Sequence, residues 1–139
     1  MYFIDTNILI YAAGEPSHYK KPCELVLTAI QEKQILAVTS TEVLQEILHR
    51  YIAIRRKALG LAMVEAVLPW MEILPISKKE LEEAVLLHKR YPTLSSRDAI
   101  HVATMLTHGI QDLISVDEDF DSIREIRRID IFKLMSKPD

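Results

Sequence analysis

Short apolar runs alternate along this chain with longer segments of helical periodicity, and this alternation limits the folds open to it. The apolar runs cover 2–4, 35–38, 71–74, 113–116 and 129–132. Strands that alternate with helices are typical of a parallel sheet covered by helices on its faces. We therefore predict an α/β protein with a central parallel sheet of about five strands.

The segments between these runs have the spacing of amphipathic or buried helices. Ser77 and Glu80 have the spacing of a capping box, which marks a helix start. Gly and Pro are scarce, and no linker or repeat interrupts the 139 residues, so we expect one domain spanning 1–139 with a frayed tail from Met135. Helices are predicted at 6–13, 22–33, 40–57, 58–68, 79–90 and 95–109.

The composition argues against a secreted, membrane-spanning or disulfide-rich protein. The chain has no recognisable secretory leader and no apolar stretch of about 20 residues, so we expect a cytoplasmic protein that makes no membrane contact. The single cysteine, Cys23, excludes a disulfide framework and is expected to be a packing residue. A net charge of -3 argues against broad electrostatic binding of nucleic acid, but it leaves room for an enzyme with a local site.

Basic residues cluster in two places along the chain. Such clusters are more often solvated surface than phosphate-binding patches, and we interpret both in that way. The clusters are Arg55, Arg56 and Lys57, and Arg124, Arg127 and Arg128.

Acidic residues follow two of the predicted strands. Asp5 follows the first strand and Asp117 follows the fourth, at the edge where open parallel sheets bind ligands. Asp98 lies in the first turn of a helix that is apolar nearly all round, where a carboxylate is costly to bury without a partner. Helix capping is the structural alternative for Asp5 and Asp98.

A further acid is predicted on the long helix from 40. Glu42 and Glu46 are one turn apart, and Glu46 lies closer to the apolar stripe, so it is the one expected to point into a half-buried cleft. Glu42 falls in the first turn, where the helix dipole explains it. His101 and His108 are interpreted as hydrogen-bonded packing residues rather than ligands.

If these acids converge, their charges need compensation. Two carboxylates about 4 Å apart repel by roughly 4 kcal/mol at an effective dielectric constant of about 20. An all-oxygen cluster favours a hard cation such as Mg²⁺ or Mn²⁺, which commonly engages substrate phosphate. Phosphodiester hydrolysis is the reaction that such a site indicates. The alternation of Asp117, Asp119 and Asp121 does not form a calcium loop, because its sixth position is not Gly and its twelfth is not Glu.

Four segments together resemble the successive motifs of the PIN-domain family, in the family's order and over nearly the whole chain. They are 3–10 (FIDTNILI), 39–47 (TSTEVLQEI), 96–103 (SRDAIHVA) and 113–120 (LISVDEDF). The resemblance implies a Rossmann-like three-layer α/β/α fold and a Mg²⁺- or Mn²⁺-dependent nuclease acting on RNA.

The same resemblance implies roles for individual residues. Thr6 or Asn7 would support the acidic cluster, Asp119 would assist a second metal ion, and Ser115 stands where the family commonly has Thr. Asp119 and Asp121 remain competitors for the place of the fourth acid. The quartet implied to bind metal is Asp5, Glu46, Asp98 and Asp117.

A free-standing domain of this size most resembles a VapC-type toxin. Such toxins are usually homodimers that cleave particular RNAs and are silenced by an antitoxin protein in the acidic cleft. Two alternatives remain open. One is a catalytically inactive PIN domain that binds RNA or a protein, and the other is a Mg²⁺-dependent phosphatase of similar topology with Asp5 as its nucleophile.

Overall fold

The computed structural model describes residues 1–135, which contain one five-stranded parallel sheet. The strands are β1 (Tyr2–Ile4), β2 (Ala37–Ser40), β3 (Glu72–Leu74), β4 (Asp112–Ile114) and β5 (Arg127–Ile129). The helices are α1 (Thr6–Ala13), α2 (Lys20–Gln31), α3 (Thr41–Ala53), α4 (Lys57–Val67), α5 (Lys78–Arg90), α6 (Ser96–Thr107) and α7 (Ile131–Met135). A 3₁₀ segment, Glu118–Ser122, follows β4.

The order of the strands creates a crevice beside β1. The sheet runs β3-β2-β1-β4-β5, so the chain leaves β1 towards β2 and leaves the neighbouring β4 towards β5. Where connections depart in opposite directions, the carboxyl ends of the two strands open onto a ligand-binding crevice. The register pairs Ile4 with Ile114, which brings the residues that follow both strands side by side.

The sheet is buried because both of its faces carry apolar side chains. Phe3, Ile4, Leu113 and Ile114 are each fully inaccessible to solvent. Cys23 is also fully buried on α2, which confirms its packing role, and burial raises the pKa of its thiol to about 12. Within residues 1–135 no helix is long and apolar enough to cross a bilayer.

Two strands lie elsewhere than predicted. β2 begins at Ala37 and ends in the polar residues Thr39 and Ser40, which are buried because Thr39 Oγ1 donates to Ile4 O at 2.8 Å and Ser40 caps α3. β5 ends at Ile129. The apolar residues after it belong to α7, whose first residue, Ile131, is buried.

Helix ends also differ from the predicted bounds. The helix expected over 40–57 ends at Ala53, because Arg55 has a positive φ of 61° and breaks the turn before α4. The capping box of Ser77 and Glu80 is confirmed at the start of α5. Of the predicted tail, Met135 is the last residue of α7, and 136–139 lie outside the described residues.

Candidate active site

Asp5 lies at the carboxyl end of β1 and is only 5% exposed. Its Oδ1 accepts a hydrogen bond from Thr6 N at 2.7 Å, so it does cap α1. Its Oδ2 accepts from Ser115 Oγ at 2.7 Å and from Asn7 Nδ2 at 3.2 Å. Burial raises the pKa of Asp5 despite these donors and the nearby His101. The carboxyl group is therefore both a cap and a constrained charge at the crevice.

Asn7 ties the ends of β1 and β4 together. Its amide donates to Ser115 Oγ at 3.1 Å, and its oxygen accepts from Val116 N at 3.3 Å. The hydroxyl of Thr6, in contrast, has no hydrogen-bond partner among the described residues. Of the two supporting residues considered from the sequence, the contacts favour Asn7.

Glu46 reaches the same crevice from α3. Its side chain is 15% exposed, and its Oε1 lies 2.7 Å from Nε2 of His101, which is 1% exposed. His101 Nε2 is also 3.8 Å from Asp5 Oδ1. Burial disfavours the imidazolium, but the hydrogen bond to Glu46 and the neighbouring carboxylates outweigh it and raise the pKa of His101. Glu42 is in the first turn of α3, as predicted.

Asp98 lies in the first turn of α6, three residues after the N-cap Ser95. Ser95 Oγ accepts a hydrogen bond from Asp98 N at 3.1 Å, and a side-chain hydrogen bond with Ser95 also acts to lower the pKa of Asp98, so this acid takes part in the cap. Burial raises the pKa of Asp98 to about 6, and the charges of Asp5 and Asp117 act in the same direction. Asp98 is therefore within electrostatic reach of both Asp5 and Asp117.

The competing aspartates after β4 make different contacts. The backbone N of Asp117 donates to Ser115 Oγ at 3.0 Å, and its carboxylate accepts from Asp119 N at 2.9 Å. Asp121 is held by Arg128, whose Nε and Nη2 donate to its two oxygens at 2.8 and 3.1 Å. This ion pair lowers the pKa of Asp121 and makes it the weakest of the three candidates for the fourth acid.

A cleft of about 880 Å³ opens beside these acids. Asp98 lies on one wall, and the acidic 3₁₀ segment with Asp119 and Asp121 forms another. A further wall is the loop after α5, where Tyr91 and the ion pair of Arg90 with Glu125 hold the segments together. Of the predicted quartet, Asp98 is the member that lines this cleft.

The donor set has the oxygen chemistry that Mg²⁺ or Mn²⁺ requires. Burial is the main cause of the raised pKa of Asp98, and a bound cation would relieve the repulsion from Asp5 and Asp117 that adds to it. The side chains are not arranged as a finished coordination shell. Within the described part of the chain, no three His, Cys, Asp or Glu side chains are grouped so that they could hold a metal ion. The carboxylate side chains would have to change rotamer to complete such a shell.

His101 is buried and hydrogen-bonded, as its interpretation from sequence expected, but its partner Glu46 belongs to the predicted acidic quartet, which that interpretation did not anticipate. Residues three apart share a helix face, so His101 lies on the Asp98 side of α6. A histidine at a buried position in an apolar helix also needs a polar partner. Those two signals together point to an acid of the cluster as that partner.

The two arginines adjacent in sequence after the 3₁₀ segment are engaged within the protein. Arg127 donates to both carboxylate oxygens of Asp112, and Arg128 binds Asp121 and also donates to Ser115 O at 3.2 Å. Arg127, whose side chain is 73% exposed, fits its interpretation as solvated surface. Arg128 does not, because its side chain is 13% exposed and is paired inside the fold.

Residues 2–126 match the family described as PIN domain. A VapC ribonuclease of Mycobacterium bovis is 38% identical over 130 residues, which cover 93% of this chain and 99% of the relative. Ribonuclease VapC23 of Mycobacterium tuberculosis is 31% identical over 122 residues, covering 88% of this chain and 97% of the relative.

Solved structures share the fold at low sequence identity. VapC20 of Mycobacterium tuberculosis, described as a sarcin-ricin loop cleaving toxin, has a TM-score of 0.76 at 18% identity and covers 91% of this chain and 97% of its own. VapBC2 of Rickettsia felis, bound to a DNA fragment from its promoter, has a TM-score of 0.72 at 20% identity, with coverages of 92% and 96%. These likenesses confirm the predicted Rossmann-like α/β/α fold.

Proposed function

The chain belongs to the PIN-domain family, and we propose that it is a metal-dependent ribonuclease that hydrolyses RNA phosphodiester bonds at its acidic crevice. The observation that supports this proposal is the buried carboxylate of Asp5 at the crevice between β1 and β4. His101 lies between it and Glu46, Ser115 joins it to Asp117, and the charges of Asp5 and Asp117 act on Asp98. Relatives that cover nearly the whole chain are named as ribonucleases.

In the proposed mechanism, Asp5, Glu46, Asp98 and Asp117 would hold Mg²⁺ or Mn²⁺, and Asp119 would assist a second ion. When bound, the cation supplies Lewis acidity that readies a water for in-line attack and offsets charge on the phosphate. Ser115 and Asn7 fix the orientation of Asp5. The cleft beside Asp98 accommodates the RNA strand next to the reacting phosphate.

We further propose that the protein is the toxin of a toxin–antitoxin pair and forms a homodimer. One solved structure with this fold, from Klebsiella pneumoniae, is described as a toxin–antitoxin complex. Glu118, Asp119 and Asp121 line the cleft beside Asp98, so the antitoxin would bring Arg or Lys side chains to neutralise them. Sedimentation of the purified chain, alone and with its neutralising partner, tests both associations.

A catalytically inactive PIN domain that binds RNA or a protein is the second candidate. One observation favours it, namely that the acids of residues 1–135 are not grouped into a ready metal site. It predicts weak metal binding and no strand cleavage, in contrast to the nuclease.

Substrate class separates these candidates and also tests the phosphatase alternative. Purified protein is incubated in Mn²⁺ with a mixed-sequence RNA, a single-stranded DNA of matching sequence and p-nitrophenyl phosphate. Cleavage of RNA alone supports the proposal. Release of p-nitrophenol without RNA cleavage would favour the phosphatase, and RNA binding without any hydrolysis would favour the inactive module.

A further inference from the structure

His101 is a buried polar residue in the site to which the proposed mechanism gives no task. It is 1% exposed and lies on α6 one turn after Asp98. Its ring centroid is 5.9 Å from that of Phe3, which is fully buried on β1. The imidazole is therefore fixed between the sheet and its own helix.

The ring stands between two carboxylates that come from different elements. Nε2 lies 2.7 Å from Glu46 Oε1 and 3.8 Å from Asp5 Oδ1, and only the first distance is short enough for a hydrogen bond. A carboxylate oxygen only accepts, so Nε2 is the donor. A carboxylate has two oxygens, and one can accept from His101 while the other faces a cation.

Without this donor, the Glu46 carboxylate would be free to move out of the crevice. Its carboxylate and that of Asp5 both lie close to His101 Nε2, and their like charges repel each other. The Glu46 side chain is long, has several rotatable bonds and retains 15% exposure, so it has a path towards water. A fixed N–H donor removes that freedom, as partners behind metal-binding carboxylates commonly do.

We propose that His101 is a positioning residue that holds the Glu46 carboxylate beside Asp5 in an orientation that can bind the divalent cation. The inference rests on the proposed function, since it takes these carboxylates to be the cation ligands. His101 is not itself a ligand, because its nitrogen on the acidic side is committed to Glu46.

The test is Mn²⁺ affinity, measured by calorimetric titration without RNA. His101→Leu should weaken Mn²⁺ binding by about 10- to 100-fold, the usual cost of losing such a partner. His101→Gln, whose amide N–H can take the place of Nε2, should recover most of that loss. A role in packing alone predicts the opposite order, because Leu suits an apolar position better than Gln. His108→Leu, an exposed histidine at the end of the same helix, is the matched control and should bind as the wild type does.

A double-mutant cycle tests whether the effect passes through Glu46. In a Glu46→Ala background, His101→Leu should cause no further loss of Mn²⁺ affinity. An equal loss with and without Glu46 would overturn the proposal. If His101→Leu fails to fold, His101→Asn replaces it, since its shorter amide is polar but falls short of Glu46.

The failures of the two proposals are distinguishable. Wild-type protein that binds Mn²⁺, with unchanged affinity in His101→Leu, overturns the positioning role and leaves the ribonuclease intact. Wild-type protein that binds no Mn²⁺ refutes the metal site and the positioning role together.

Discussion

Ser115 Oγ donates a 2.7 Å hydrogen bond to Asp5 Oδ2, joining residues 110 positions apart in the sequence. The same hydroxyl accepts from Asn7 Nδ2 and from the backbone N of Asp117. One buried serine thus links the acid after β1 to the acid after β4. The parallel register of these strands makes the contact possible.

Ser115→Ala should therefore weaken both stability and cleavage. The change leaves polar groups of Asp5, Asn7 and Asp117 without their shared partner, and we expect a loss of about 1–3 kcal/mol in the free energy of unfolding. Chemical denaturation and RNA cleavage rates check this. Ser115→Thr keeps the hydroxyl and should retain more activity than Ser115→Ala. Equal activity of the two variants would show that the hydroxyl is dispensable.

The two glutamates of α3 should differ in their importance for catalysis. Glu46→Gln removes charge from the crevice and should lower the rate of RNA cleavage by about 100-fold or more, comparable to the loss of one charge-stabilising group at an active site. Glu42→Gln is the matched control, since it makes the same change one turn earlier and should alter the rate by less than about threefold. The cleavage rates of the two variants are compared in the same Mn²⁺ buffer. A larger loss in Glu42→Gln than in Glu46→Gln would contradict the assignment of Glu46 to the site.

Asp98 should make the metal-free protein less stable as the pH rises. Its pKa is about 6 in the fold and 3.8 as an ordinary value, so the folded state disfavours the carboxylate form. The resulting penalty is absent below about pH 4 and is fully present above about pH 6. Asp98→Asn removes this penalty. In EDTA near pH 7.5, the free energy of unfolding of the variant should therefore be higher than that of the wild type by about 1 kcal/mol, after allowance for solvent screening.

Thermal unfolding of both proteins near pH 4 and near pH 7.5 measures this difference. The advantage of Asp98→Asn should shrink towards zero at the lower pH. Glu82→Gln, an exposed acid on α5, provides the control for a general change in charge. An advantage that is the same at both pH values would contradict the burial of a shared charge at Asp98.

Much of the fold follows from the alternation of apolar runs and helical segments, because strands with two buried faces must be apolar throughout. β1 illustrates this success, since it is apolar and buried. β2 is the counterexample. Thr39 and Ser40 extend it because their hydroxyls find backbone partners that only the assembled sheet and α3 provide.

The site was accessible to sequence reasoning where an acid follows a strand or occupies a helix turn. His101 was only partly accessible. Its place one turn after Asp98 indicates an acidic partner, but the identity of that partner, Glu46, which is 55 positions away, depends on how α3 and α6 approach each other. Asn7 and Thr6 were likewise inseparable from sequence. Which of the two residues supports the site depends on which side chain contacts Ser115, and this contact follows from the register between β1 and β4.

The capping box at the start of α5 should stabilise the fold above the acidic range. Glu80 Oε1 accepts from Ser77 N at 2.8 Å and from Ser77 Oγ at 2.7 Å, and these bonds lower its pKa to about 2. Its contribution is therefore present above about pH 4.5 and lost as the pH falls towards 2. Glu80→Gln should cost about 1 kcal/mol at neutral pH, as a charge-assisted hydrogen bond becomes a neutral one.

Denaturant unfolding of Glu80→Gln at neutral pH and near pH 3 checks this expectation. The difference in the free energy of unfolding between Glu80→Gln and the wild type should be smaller at the lower pH. Glu82→Gln, on the exposed face of the same helix, should show little loss at either pH. A comparable loss for both variants would mean that the capping box adds nothing beyond surface charge.

The most direct test of the acidic crevice as a nuclease site is the rate at which purified protein cuts a mixed-sequence fluorescent RNA. Mn²⁺ is supplied, and parallel reactions contain EDTA or the Asp98→Asn protein from the same preparation scheme. We expect cutting by the wild type in Mn²⁺, none in EDTA, and a loss of about 100-fold or more in Asp98→Asn. Cutting that survives unchanged in Asp98→Asn, or its absence in folded wild-type protein free of bound partner, would contradict the assignment.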